Sequence, residues 1–160
     1  MNKIFEIKKF YTIIFIFSLL SLLIALYIEF FLGYQSCKLC IYQRIPYIIA
    51  IFITFLGISY SKNLIWLYFL LIIFFSSFLL AGYHFGIEQE IFREFSGCTG
   101  NSLNITDKNE LLKLLNLEVN NSCKNVDFTI FGLSLATINV LLSFVIFILI
   151  LKVIKNEKNR

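Results

Sequence analysis

Four cysteines carry the reactive potential of this chain of 160 residues: Cys37, Cys40, Cys98 and Cys123. The first two stand three positions apart in "CKLCIYQR", and Arg44 follows four residues after the second thiol. A C-x-x-C pair can clip a metal, close a structural bridge, or cycle between dithiol and disulfide. A zinc site takes four ligands, commonly as two close pairs. Here Cys98 and Cys123 are 25 positions apart and His84 is the only histidine, so no metal is expected. A structural bridge across so short a ring constrains little of the unfolded chain and adds little stability. Tight C-x-x-C rings are more often redox-active, because one thiol readily becomes a low-pKa nucleophile.

Arg44 adds to the redox reading. With a helix starting near Ile41, it lies one turn beyond Cys40. Its guanidinium and the helix N-terminus then both favour a Cys40 thiolate. An arginine also suits an oxygen-bearing electron acceptor, since it stays charged and donates several hydrogen bonds. A boundary arginine that only snorkels to lipid headgroups has the same spacing, and spacing alone leaves both open.

These residues must be positioned by a membrane. The chain is 59% hydrophobic and 18% aromatic, above the roughly 45–50% apolar content of soluble domains. The excess falls into long runs. "FYTIIFIFSLLSLLIALYIEFFL" covers about 10–32, longer than a signal-peptide core and without a small-x-small cleavage site, so it reads as a retained span. A second span covers about 41–60, with Pro46 near its start, where a missing N–H costs least. A third covers about 64–84, and the short Ser61-Lys62-Asn63 link makes the two an antiparallel hairpin. A fourth covers about 130–151. The expected architecture is a single integral domain, 1–160, an all-α bundle of four transmembrane helices. Its outer loops fall at about 33–40 and 85–129. In the longer loop, "TDKNELLKLLNLE" combines a capping box at Asp107 and Glu110 with leucines at helical spacing. It reads as a short amphipathic helix on the membrane surface.

The net charge of +4 does not point to nucleic acid, because the basic residues sit at the ends of apolar runs. Lys3, Lys8, Lys9, Lys62, Lys152, Lys155, Lys158 and Arg160 fall on short segments of one side. Lys38, Arg44, Arg93, Lys108, Lys113 and Lys124 fall on the other, mostly in a long loop. The positive-inside rule then puts both termini in the cytoplasm and all four cysteines outside. In a bacterial inner membrane that side is the periplasm, where disulfides persist. Glu29, near the outer end of the first span, can pair with Arg44 or reach the interface, and the interface is the expectation. Gly132, Ser134, Ala136 and Thr137 in "FGLSLATIN" read as small residues that let helices approach.

With these residues in place, the chain resembles the disulfide bond formation protein B (DsbB) family. The resemblance spans most of the chain. It rests on four spans, "CKLCIYQR" after the first, "AGYHFGIE" closing the third, the distal Cys98 and Cys123, and "FGLSLATIN" opening the fourth. C-x-x-C alone is weak; C-x-L-C-x-x-Q-R between spans one and two, with a cysteine pair in the next outer loop, is highly specific.

The resemblance implies a protein-dithiol:quinone oxidoreductase. A reduced DsbA-like thioredoxin-fold partner attacks the Cys98–Cys123 disulfide and forms a mixed disulfide with Cys98. Cys123 then attacks Cys37, and Cys40 is released as a thiolate against a membrane quinone, ubiquinone or menaquinone, with Arg44 assisting. DsbA is itself an oxidant near about −120 mV, so its regeneration needs a still stronger sink. By the same resemblance His84 lines the quinone site; from the residue alone it is an interfacial histidine bonded to headgroups or water. Two other readings compete. One is a four-helix thiol–quinone enzyme like vitamin K epoxide reductase, in which the C-x-x-C usually lies near the end of a later helix. The other is a non-enzymatic membrane scaffold stapled by outer disulfides.

Overall fold

The computed structural model describes residues 2–34, 36–61, 63–93, 123, 129–130 and 132–159. The amphipathic helix expected around Asp107–Leu117, and Cys98, lie outside the described residues. Four long helices account for most of the chain: α1 (Asn2–Phe30), α2 (Lys38–Ser59), α3 (Ile65–Glu88) and α4 (Leu135–Lys158). A two-residue ladder, β1 (Thr129–Ile130) with β2 (Leu133–Ser134), precedes α4. All four helices are long and apolar enough to cross a membrane. The shortest has 22 residues. At about 1.5 Å per residue it reaches about 33 Å, which covers a hydrocarbon layer of about 30 Å. The protein is therefore a multi-pass helical membrane protein.

The helices pack in sequence order, α1 on α2, α2 on α3 and α3 on α4. Cross-helix pairs show that neighbours run antiparallel. Glu29 meets Arg44 at one end of α1 and α2, while Tyr11 meets Gly57 at the other. Ser77 meets Ser143 midway along α3 and α4, while Glu88 meets Ser134 at an end. Large apolar side chains such as Ile13, Leu23, Phe52, Phe55, Ile72 and Val145 remain exposed on the outside, as a lipid-facing surface requires.

Among the described residues, two buried clusters divide the interior. The larger joins Ile7, Tyr11 and Ile14 of α1, Tyr47 and Ala50 of α2, Leu67, Leu70 and Phe74 of α3, and Ile146, Ile150 and Ile154 of α4. It lies toward the end that holds both termini. A Cβ on Gly57 would stand 2.6 Å from the Tyr11 ring, so glycine is what lets that ring lie against α2. Within the bundle, Tyr47 donates to Asn139 Oδ1 at 2.5 Å, Ser143 donates to the same oxygen at 3.3 Å, and Ser143 meets Ser77 at 3.0 Å. Hydroxyls that pair across helices hold α2, α3 and α4 together where hydrophobicity alone does not favour association.

The smaller cluster gathers Cys37, Leu39, Ile87 and Cys123 at the opposite end. Its position follows from where the helices start. α2 begins at Lys38, earlier than the expected start near Ile41, and Cys37 is its N-cap. Pro46 consequently sits two turns inside the helix, where the Tyr42 carbonyl has no N–H partner from that residue. α4 begins at Leu135 rather than near Ile130, because Thr129–Ile130 pairs antiparallel with Leu133–Ser134, with Gly132 at φ +79°. A Cβ at Gly132 would meet nothing within 4 Å. Its smallness thus serves the backbone turn, not the helix approach expected of it. Ser134 likewise acts as the N-cap of α4, accepting from Thr137 N–H at 3.1 Å. Ala136, which is buried, fits the packing role expected of that segment.

Candidate functional site

The start of α2 creates the reactive pair. The first backbone N–H groups of a helix have no partner within the helix. Here the Cys37 sulfur accepts one of them, from Cys40, at 3.2 Å. One turn of helix then brings the two sulfurs to 2.8 Å, where they share a hydrogen bond. Cys37 and Cys40 are both free thiols, Cys37 buried and Cys40 partly exposed. The capping position belongs to Cys37 and not to Cys40, which the later helix start would have favoured.

α3 delivers the partner. His84 is 3% exposed and sets Nε2 3.6 Å from the Cys37 sulfur. On its other side, the Gln43 amide nitrogen lies 3.1 Å from Nδ1. That nitrogen can only donate, so Nδ1 accepts and Nε2 carries the ring proton toward Cys37. Gln43 is itself buried, one turn after Cys40, and its task is to fix the imidazole tautomer. The Cys37 thiol is accordingly pulled down to about 5. The hydrogen bond with Cys40 is the main cause; burial opposes it, and His84 adds a hydrogen bond. His84 therefore serves a sulfur and does not reach out to headgroups or water.

Glu88, one turn after His84, lies 3.8 Å from Nε2 through Oε1. Its other oxygen accepts from Ser134 at 2.5 Å. A carboxylate at the end of α3 is thus tied to the N-cap of α4. Cys123 completes the cluster. It is buried against Cys37, Leu39 and Ile87, its backbone hydrogen-bonds the His84 ring, and it is disulfide-bonded. The long loop's second cysteine is thereby brought to the first pair.

Arg44 is held by two partners next to the cysteine pair. Nη1 pairs with Glu29 Oε2 at 2.5 Å, and Nη2 donates to Ser36 at 2.5 Å. Ser36 in turn donates to the same Glu29 oxygen at 3.2 Å. Glu29 is therefore paired, contrary to the expectation that it reaches the interface. The reason is cost: a carboxylate 26% exposed at the membrane boundary is better off beside a fixed cation than alone. The three residues tie the C-terminal end of α1, Ser36 and the start of α2 together. They use two of the guanidinium's five N–H donors. Ile41, Tyr42 and Ile45 beside Arg44 are exposed, an apolar surface that opens to the lipid.

Of the residues singled out in the sequence, Cys37, Cys40, His84 and Cys123 come together, and Arg44 sits a turn away in its own network. Gln43 and Glu88 were missed as site residues. The only sequence signal for Gln43 is its place in C-x-x-C-x-x-Q-R. Glu88 lies one turn after the sole histidine, at the spacing that puts two side chains on one helix face.

The disulfide bond formation protein DsbB family matches the chain over residues 8–153. No curated protein and no solved structure matches it. With nearly the whole length covered, four membrane-crossing helices and a C-x-x-C pair at the start of the second, the chain belongs to the DsbB family of disulfide bond formation proteins.

Proposed function

We propose that this protein reoxidises a DsbA-like periplasmic thiol oxidase and passes the electrons to a membrane quinone. The observation that carries the proposal is the burial of Cys123 against Cys37, which brings one cysteine of the distal pair to the C-x-x-C pair. The topology that goes with it has both termini cytoplasmic and the cysteine end periplasmic, where thiol exchange can run toward disulfides.

The exchange steps balance as follows. A partner thiolate attacks Cys98 of a Cys98–Cys123 disulfide, forming the mixed disulfide and expelling the Cys123 thiolate. Cys123 attacks Cys37 of the Cys37–Cys40 disulfide, forming Cys123–Cys37 and expelling the Cys40 thiolate. The partner's second thiol resolves the mixed disulfide and leaves oxidised, freeing Cys98. Cys98 then attacks Cys123, restoring the loop disulfide and expelling Cys37. Two protons and two electrons have moved from the partner to the first pair. A free Cys37–Cys40 dithiol beside a disulfide-bonded Cys123 corresponds to this stage.

The low pKa of Cys37 suits the last exchange, because a less basic thiolate is the better leaving group. Gln43 and His84 hold that leaving group by presenting Nε2–H to it. Cys40, the more exposed thiol, and Arg44 face the acceptor side, next to the exposed Ile41, Tyr42 and Ile45. These residues fit a quinone: an apolar rim for the lipid-borne ring, and a fixed cation with N–H donors for its oxygen. When bound, the quinone supplies the two-electron, two-proton sink that restores the Cys37–Cys40 disulfide. Arg44 orients that oxygen while Glu29 and Ser36 orient Arg44.

The test is quinone reduction by the purified protein with a reduced DsbA-type partner. Turnover that needs both is expected. No turnover with either quinone class, or disulfides that stay unchanged when quinone is withdrawn, would leave a stapled scaffold as the better reading. A reporter fused after Arg160 should report cytoplasm; an external signal inverts the topology.

A further inference from the structure

The cysteine spacing in the sequence offers no metal clip, but the fold supplies a third soft ligand from 47 positions away. Cys37 Sγ, Cys40 Sγ and His84 Nε2 lie within 4.8 Å of one another. We propose that the dithiol form of this protein binds one soft divalent cation of the zinc or cadmium class on these three atoms. The ion and the Cys37–Cys40 disulfide then exclude each other.

The geometry is near what such an ion needs. With metal–sulfur bonds of about 2.3 Å and metal–nitrogen bonds of about 2.0–2.1 Å, tetrahedral angles set sulfur and nitrogen about 3.6 Å apart. The Cys37–His84 separation is 3.6 Å. The same bonds set two sulfurs about 3.8 Å apart, against 2.8 Å here. Cys40 must therefore swing out by about 1 Å, and it is the partly exposed member of the pair.

The surroundings favour the ion as well. A ligating histidine is held through its other ring nitrogen, and Gln43 already sits 3.1 Å from Nδ1. Turning the Gln43 amide over presents its oxygen to Nδ1–H and frees the Nε2 lone pair for the metal. Glu88 Oε1, 3.8 Å from Nε2, adds negative charge close to the three ligand atoms. The positive Arg44 is neutralised by Glu29, so it does not oppose a cation one turn away. Binding releases the thiol protons to solvent and moves no electrons. The charge of two thiolates cancels that of the ion, which makes a divalent soft metal a better match than a hard one. The consequence is a metal-held state in which both sulfurs are withheld from oxidation until the ion is removed.

The experiment uses the full-length protein in detergent, reduced with a phosphine under exclusion of oxygen, and titrated with Co²⁺. One equivalent should produce thiolate-to-cobalt charge-transfer absorption with tetrahedral visible bands, and Zn²⁺ should displace it. The disulfide form should give none. A Cys98→Ser/Cys123→Ser protein should keep the signal. His84→Ala should weaken binding at least tenfold, and Gln43→Leu by about tenfold. If His84→Ala does not fold, the volume-matched His84→Gln is read in its place. Absence of the charge-transfer band in the reduced protein overturns the proposal. So does loss of the band in the double serine protein, which would move the site to the loop pair, or unchanged affinity without His84.

Discussion

The two buried clusters solve opposite problems. Toward the termini, all four helices contribute rings and branched aliphatic side chains, and Tyr11, Leu67, Leu70, Phe74 and Ile150 are fully buried. Toward the cysteines, the buried set among the described residues is small and includes Gln43, His84 and two cysteines, Cys37 and Cys123. The difference follows from backbone chemistry. In mid-helix the backbone is satisfied, so hydroxyls bond a carbonyl of their own helix, as Thr54 does to Ala50 at 2.7 Å, or pair across helices, as Ser77 does with Ser143. At a helix start free N–H groups remain, and a sulfur can be held there by one of them. A membrane protein that needs a stabilised thiolate does best to build it where a helix begins.

If that division is right, damage at one end should leave the other intact. Cys40→Ser should reduce quinone turnover to background without lowering resistance to denaturant. Normal turnover would remove Cys40 from the relay. Arg44→Met should come next. Losing a charge-assisted hydrogen bond of about 1.5 kcal/mol should raise the apparent KM for quinone about tenfold. An unchanged KM would return Arg44 to a purely structural link with Glu29.

His84→Ala sharpens the contrast through pH. Alkylation of reduced Cys37 in a Cys40→Ser, Cys98→Ser, Cys123→Ser background should follow the thiolate fraction, falling as pH drops through the thiol's pKa. Because His84 lowers that pKa, removing it should move the half-point to higher pH. A half-point that stays put would deny His84 its hold on the sulfur.

At the other end, Gly57→Ala should crowd the Tyr11 ring and cost about 1–3 kcal/mol of stability, with quinone KM unchanged. Tyr47→Phe should have the smallest effect, about 0.6 kcal/mol from the lost bond to Asn139. Both are read from denaturant midpoints in detergent. A change in KM from either would mean that the two ends are coupled.

Much of this was open to reading in the sequence. Four apolar runs gave the spans, and the specificity of C-x-L-C-x-x-Q-R with two distal cysteines pointed to the family. What stayed hidden depended on register and on distance along the chain. Cysteine is not a usual helix cap, so nothing in "CKLCIYQR" marked Cys37 as the N-cap. A three-residue shift in the helix start was enough to move the expected thiolate from one cysteine to the other. Gln43 and His84 are 41 positions apart, beyond any periodicity. Glu29 offered two fates, and only the packing of α1 on α2 chose between them.

The hydrogen bond between Glu88 and Ser134 has one more consequence. It joins residues 46 positions apart, the point where the chain leaves α3 and the point where it enters α4. The intervening segment is thus closed at its base, like a cassette in a fixed slot. The end of α3 and the start of α4 are therefore held together directly, independently of the chain between them.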